Sequence, residues 1–152
     1  TVWLRGQDFN AATGDWPNRG TGPDLKQIVR AGKSKAQVQE LAGNGAADKI
    51  KALVGSAATS LELGNIVPGT YTVCSLTRYA GAKRGRILTG YAVNWLHGHW
   101  GGRAGVAHYS GWKTGSKSAV KETTSWVVLC GRSAGPAPSN VLMNGKRIGT
   151  AT

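Results

Sequence analysis

Between Tyr71 and Leu76 the side chains alternate, with Tyr71, Val73 and Ser75 to one side and Thr72, Cys74 and Leu76 to the other. This is the period-two signature of a β-strand. Because the run is largely apolar on both sides, it predicts a central strand of a sheet covered on both faces. Strand patterns of the same kind occupy TVWLR at Thr1–Arg5, TSLELG at Thr59–Gly64, RGRILTGY at Arg84–Tyr91 and SWVVLCG at Ser125–Gly131. Asp24–Gly32 reads either as a helix capped by Asp24 or as a strand over Leu25–Arg30, and the β-branched pair Ile28-Val29 favours the strand, whereas Lys33–Leu41 alternates only weakly. VLMNGKRIG places Asn144-Gly145 between two short apolar runs, the preferred sequence for a type I′ hairpin.

One stretch has a different period. Ala46, Ile50, Leu53 and Val54 recur at helical spacing, with Asn44 placed to cap the start and Gly55 to follow the end. The pattern predicts one short helix there. The intervening text is turn-rich. Gly6–Pro23 reads as a loop carrying the aromatic pair Phe9 and Trp16, Lys113–Thr124 as a polar connection, and Gly131–Asn140 as a proline-bearing loop.

The stretch Ile87–Trp112 is the aromatic middle of the chain. It holds three of the six tryptophans, two of the four tyrosines and all three histidines, broken at short intervals by glycine. Such spacing predicts short strands joined by tight turns, one of them at Gly101-Gly102.

Length and composition narrow the class. A chain of 152 residues is expected to fold as one domain with a core of its own. Its 23 glycines follow no fixed period, so a collagen-like chain is excluded and a turn-rich all-β fold is favoured. No apolar run approaches the roughly 20 residues of a membrane span, which predicts a water-soluble domain. Thr1 in place of an initiator Met predicts a removed targeting segment, a longer parent chain, or both.

Charge points to the partner class. Nineteen Lys and Arg against seven Asp and Glu leave a formal charge of +12, which attracts acidic polymers, anionic membrane surfaces or acidic proteins, or simply keeps the surface solvated. Cys74 and Cys130 each lie in an apolar, β-prone run. If their strands are neighbours, a disulfide is geometrically accessible, and the protein belongs in an oxidising setting, outside the cell or in an organelle lumen. The alternative is two buried thiols acting as small hydrophobes.

The order YTVCSLTRY, RGRILTG, NWLHGHWGGRAGVAHYSGW, TSWVVLCG, VLMNGKRIG resembles the laminin-G-like jelly roll of the concanavalin A-like lectin and glucanase superfamily, closest in look to secreted-type domains of algae and other protists. The resemblance spans Ile66–Gly149 and before it is confined to an opening strand and the Gly14-Asp15-Trp16 loop. It implies a two-sheet antiparallel sandwich acting as a carbohydrate-binding or adhesion module. In that family further strands follow the hairpin, whereas this chain stops at Thr152. A jelly roll lacking its last strands has open edges, which a continuation of the chain or other protein chains completing the sheet would pair.

Glycoside hydrolysis needs two carboxylates flanking the scissile bond, but Asp8, Asp15, Asp24, Glu40, Asp48, Glu62 and Glu122 are scattered, with no acid between Leu63 and Lys121. No catalytic residue is predicted and the chain is read as a non-enzyme. The same lack of acids argues against a calcium site. His97 and His99 share a strand face, and with His108 across the Gly101-Gly102 turn they resemble an imidazole metal set, but without a carboxylate support no metal or other cofactor is predicted.

Trp95, Trp100, Tyr109 and Trp112 are candidates to stack on sugar rings, with Asn94, His97, His99 and Arg103 as hydrogen-bonding neighbours. Equally, tryptophan and tyrosine at strand positions are core residues. Arg78, Lys83, Arg84 and Arg86, with Lys113, Lys117 and Lys121, form the candidate anion-binding face. No nucleic-acid-binding fold signature accompanies them. The first functional expectation is therefore a non-enzymatic module that binds anionic or neutral polysaccharide. The alternative is an accessory subunit docked into a matrix, filament or organelle membrane complex through its open sheet edge and positive surface.

Overall fold

In a computed structural model of the chain, residues 1–26, 34–67, 69–115, 124–134 and 141–148 are described. The described chain is all-β apart from a single 3-10 turn at Gly6–Asp8, and every strand pairing is antiparallel. It divides into two compact units, Thr1–Ile66 and Val67–Thr152.

In the first unit β1 (Asp15–Trp16) pairs with β2 (Leu25–Lys26), and β3 (Gln37–Leu41) pairs with β4 (Ile50–Val54). The helix expected after Asn44 is absent, and Ile50–Val54 is instead a strand in register with Gln37–Leu41. Gly43, Asn44 and Gly45 all have positive φ, at 70°, 56° and 86°. Three consecutive left-handed residues reverse the chain, and Asn44 in that conformation is not in the extended geometry that an N-cap requires. The weakly alternating run becomes the partner strand because this reversal delivers β4 alongside it.

Thr1–Arg5 is not a strand either. The carbonyls of Thr1 and Trp3 accept the N–H groups of Gly22 and Arg19, and Asn18 Oδ1 accepts the Trp3 N–H. With its backbone satisfied by a loop, the segment needs no sheet partner. Among the described residues Thr59–Gly64 likewise forms only one bridge, Ser34 with Thr59. Phe9 and Trp16 do form the expected pair, edge to face at 5.7 Å, and Trp16 Nε1 donates to the Arg5 carbonyl. Arg19 and Arg5 both donate to the Asp8 carboxylate and hold its pKa far below the usual carboxylate range.

The second unit contains β5 (Thr72–Thr77), β6 (Leu88–Thr89), β7 (Leu96–Trp100), β8 (Arg103–His108), β9 (Val127–Arg132), β10 (Val141–Met143) and β11 (Lys146–Arg147). They form a four-stranded sheet, β11-β10-β9-β5, and a three-stranded sheet, β6-β7-β8. The two expected tight turns are present. Asn144 and Gly145 take φ of 49° and 78° between β10 and β11, and Gly101 and Gly102 take 60° and 79° between β7 and β8. The sheets face each other through Ala107, Tyr109, Leu129 and Val141, with Tyr71, Val73, Trp95, Met143 and Ile148 packed around them. This is a β-sandwich layer pair.

Cys74 and Cys130 lie opposite one another in register and are bridged. The expectation that β5 is covered on both faces is overturned. Val73, Ser75 and Thr77 are half-buried while Thr72, Cys74 and Leu76 are exposed, and β5 is the edge strand of the described sheet. Apolar residues on both sides of a strand do not require two layers. Here one side packs and the other carries the disulfide.

β9 runs past the expected end at Gly131 to Arg132. A Cβ on Gly131 would collide with the Tyr109 hydroxyl and come within 2.9 Å of its ring. The glycine is therefore the floor on which that ring lies, a close approach that a side chain forbids. Gly131→Ala is expected to cost about 1–3 kcal/mol through overpacking. A urea melt checks this, and an unchanged midpoint would show that Tyr109 can move aside freely.

Candidate functional site

The aromatic middle separates into a buried half and a surface half. On the buried side, β7 carries His97 and His99 into the sandwich, where both are 0% exposed, and Tyr109 is 4% exposed. His97 Nε2 faces the Leu129 carbonyl at 3.2 Å, and its Nδ1 meets the Tyr109 hydroxyl. A carbonyl can only accept, so Nε2 carries the proton, and the Tyr109 O–H donates to Nδ1. His97 is a neutral imidazole with both nitrogens occupied. Burial pushes its pKa down to about 4, with His99 opposing its protonation as well and the bond to Leu129 acting the other way. The same burial raises the pKa of Tyr109.

Trp95 completes this group. It stacks on His97 and Tyr109 at interplanar angles of 23° and 25°, and its Nε1 donates to the Tyr71 hydroxyl at 2.6 Å. His99 pairs with Thr77 Oγ1 and meets the Tyr79 ring edge to face at 4.8 Å. His97, His99 and Tyr109 thus have no surface to offer a sugar, and with Trp95 they form a polar-aromatic core. His108 pairs with Leu96 rather than with His97 or His99. It stands on the other face of the sheet from His97, so the three imidazoles do not converge.

The surface half is built around Trp100, the last residue of β7, which is 38% exposed. The Gly101-Gly102 turn folds β8 back immediately after it, and the loop following β8 returns Trp112 to stack on it at 5.9 Å and 29°. The Arg86 guanidinium lies over the Trp100 ring at 5.8 Å. Arg86 is held there by Asn94 Oδ1 at 2.9 Å and by Thr89 Oγ1. His108 meets Trp112 edge to face at 5.0 Å, and its Nδ1 bonds the Asn94 carbonyl. The order is guanidinium, indole, indole, imidazole, with Asn94 tied to both ends.

Arg84 belongs beside this group through its backbone. Its carbonyl accepts from Gly102 N–H and the Tyr79 hydroxyl, and its side chain reaches the Tyr79 ring at 5.9 Å. Lys83 is exposed, and Arg103 and Lys113 are half-buried. The Arg78 guanidinium lies over Trp126 at 5.2 Å and donates to the Tyr79 carbonyl. Lys117 and Lys121 lie outside the described residues.

The residue that the pattern does not single out is Tyr91, 82% exposed beside Val93 at 67% in the loop that Arg86 braces through Asn94. An aromatic in a run of turn residues, Gly90 to Asn94, is its signal. The charge is also uneven. Val67–Thr152 carries eleven of the nineteen Lys and Arg but only one acid, Glu122.

Among the described residues no group of three His, Cys, Asp or Glu is placed to hold a metal, and no helix is long and apolar enough to cross a membrane. Comparison with protein-family models, curated proteins and solved structures finds nothing that matches this chain.

Proposed function

We propose that the second unit is a non-enzymatic module that binds an anionic polysaccharide on the Trp100–Trp112 platform. One observation carries the reading: a partly exposed indole, backed by a second indole, lies beneath an arginine that hydrogen bonds hold in position. The exposed part of Trp100 offers apolar contact to a sugar ring beside the guanidinium. Arg86, with Lys83 and Arg84 nearby in sequence, offers guanidinium and ammonium groups to a sulfate or carboxylate substituent. Tyr91 extends the aromatic surface along the loop. The Cys74–Cys130 bridge supports a secreted or lumenal setting, and the two facing antiparallel sheets support the laminin-G-like, lectin-type reading.

The test is titration of the purified chain with a sulfated polysaccharide and its desulfated form, followed by tryptophan fluorescence at several salt concentrations. Trp100→Ala is expected to weaken binding about thirtyfold, the 2 kcal/mol typical of a central tryptophan. Alanine at Lys83, Arg84 and Arg86 is expected to flatten the salt dependence. Unchanged affinity in Trp100→Ala, or tighter binding of a single-stranded oligonucleotide than of either glycan, refutes the proposal.

A further inference from the structure

The four-stranded sheet of the second unit has a face that the sandwich does not use. Strand register sets its composition. Cys74 lies opposite Cys130, Cys130 opposite Leu142, and Leu142 opposite Arg147, which makes one row across all four strands. The next row is Leu76 opposite Val128, and on the other side Thr72 lies opposite Arg132. Leu76, Val128 and Leu142 are 56%, 45% and 43% exposed. Three large aliphatic side chains therefore surround the disulfide on an open face, with Arg132 and Arg147 at its margins and Lys146 exposed on the neighbouring hairpin.

We propose that this face docks a second protein whose contact surface is apolar at its centre and acidic at its rim. The apolar middle is what a protein–protein contact buries, and the arginines are placed where a polar rim forms. Charge selects the occupant. With eleven cations and one acid in the unit, two copies brought face to face oppose like charge to like charge, which costs affinity. An acidic rim pairs with Arg132 and Arg147 instead, and Lys146, which shares the inner side with its register partner Met143, is the nearest amine at the β11 edge. A glycan fits the centre of this face poorly, since that centre carries aliphatic side chains and a disulfide, and the ring next along the strand line, Trp126, is covered by the Arg78 guanidinium. The docking surface is thus distinct from the Trp100 platform, and either can fail alone.

A zero-length carboxyl-to-amine coupling reagent, applied to the affinity-tagged full chain in the cells that make it, tests the chemistry directly. The expected product joins Lys146 Nζ to an Asp or Glu of a different protein, identified by sequencing the coupled peptide, with apolar residues nearby in that peptide. The adduct should fall more than tenfold, the factor that 1.4 kcal/mol represents, in Val128→Asp/Leu142→Asp and separately in Arg132→Glu/Arg147→Glu. The purified variants should keep the wild-type melting temperature, because these side chains are exposed. The proposal is overturned by no adduct at Lys146, by coupling to an acid within this chain or to a second copy, or by an adduct that either variant retains. Coupling to a uronate-bearing glycan also overturns it.

Discussion

Replacing Cys74 and Cys130 together by alanine is expected to lower the stability of the second unit by about 4 kcal/mol, the chain-entropy value for a loop of this length. The two cysteines are 56 residues apart, and the loop they close contains β6, β7 and β8 in full. The bridge joins the edge strand β5 to β9 and so confines both layers of the sandwich in the unfolded chain. Neither sulfur is in the inner core: Cys74 is exposed and Cys130 half-buried. The substitution opens no core cavity, and the loss comes from the freed unfolded state. In a unit this small each kcal/mol moves the melting temperature by about 4–8 °C, so a shift of some 15–30 °C should appear in the variant. The oxidised wild type should show the same shift when fully reduced. A double variant that melts within a few degrees of wild type would mean that the interlayer packing alone defines the unit.

Much of this fold is written locally. The two-residue turns at Asn144-Gly145 and Gly101-Gly102 need positive φ twice in succession, and few sequences other than these supply it. The Cys74–Cys130 contact is a matter of strand adjacency, and the β-prone text around both cysteines identifies two strands without saying that they are neighbours. β4 shows where local reading breaks down. Ile50, Leu53 and Val54 satisfy a helical period, yet the left-handed run Gly43-Asn44-Gly45 forces a hairpin that no apolar count reveals.

The site is legible only in its ingredients. The segment from Asn94 to Trp112 alternates aromatic, imidazole and glycine throughout, so nothing in the pattern separates the residues that pack from those that face solvent. Tertiary structure makes the separation through Gly131. Its missing side chain lets Tyr109 cross β9 and reach His97, which draws Trp95 into the same stack. Trp100 lies one turn beyond that layer. It meets Trp112 and Arg86 instead of the opposing sheet.

Acid should unfold the second unit in a step assigned to His97. A buried imidazole is favoured neutral, and its folded pKa of about 4 lies below the ordinary value of 6.5. Between these values the unfolded chain binds a proton that the folded chain refuses, so stability rises with pH through this window. The contribution is complete above pH 6.5. It drains away as the pH falls toward 4, and below that both states are protonated and the group adds no further slope. At 1.36 kcal/mol per unit, the depression corresponds to about 3 kcal/mol. The geometry explains why the ring resists protonation. A second proton would have to enter at Nδ1, where the Tyr109 hydroxyl donates, and it would face His99 within the same dry layer. Only one acidic side chain, Glu122, belongs to this unit, so Asp and Glu titration contributes little of the slope. Chemical denaturation at intervals from pH 7.5 to 4 measures the effect. In His97→Leu/Tyr109→Phe, which removes the imidazole and its donor together, the free energy of unfolding should lose most of its fall across that range. A fall as steep as wild type in the double variant would place the acid sensitivity elsewhere in the chain and leave the His97–Tyr109 pair as packing alone.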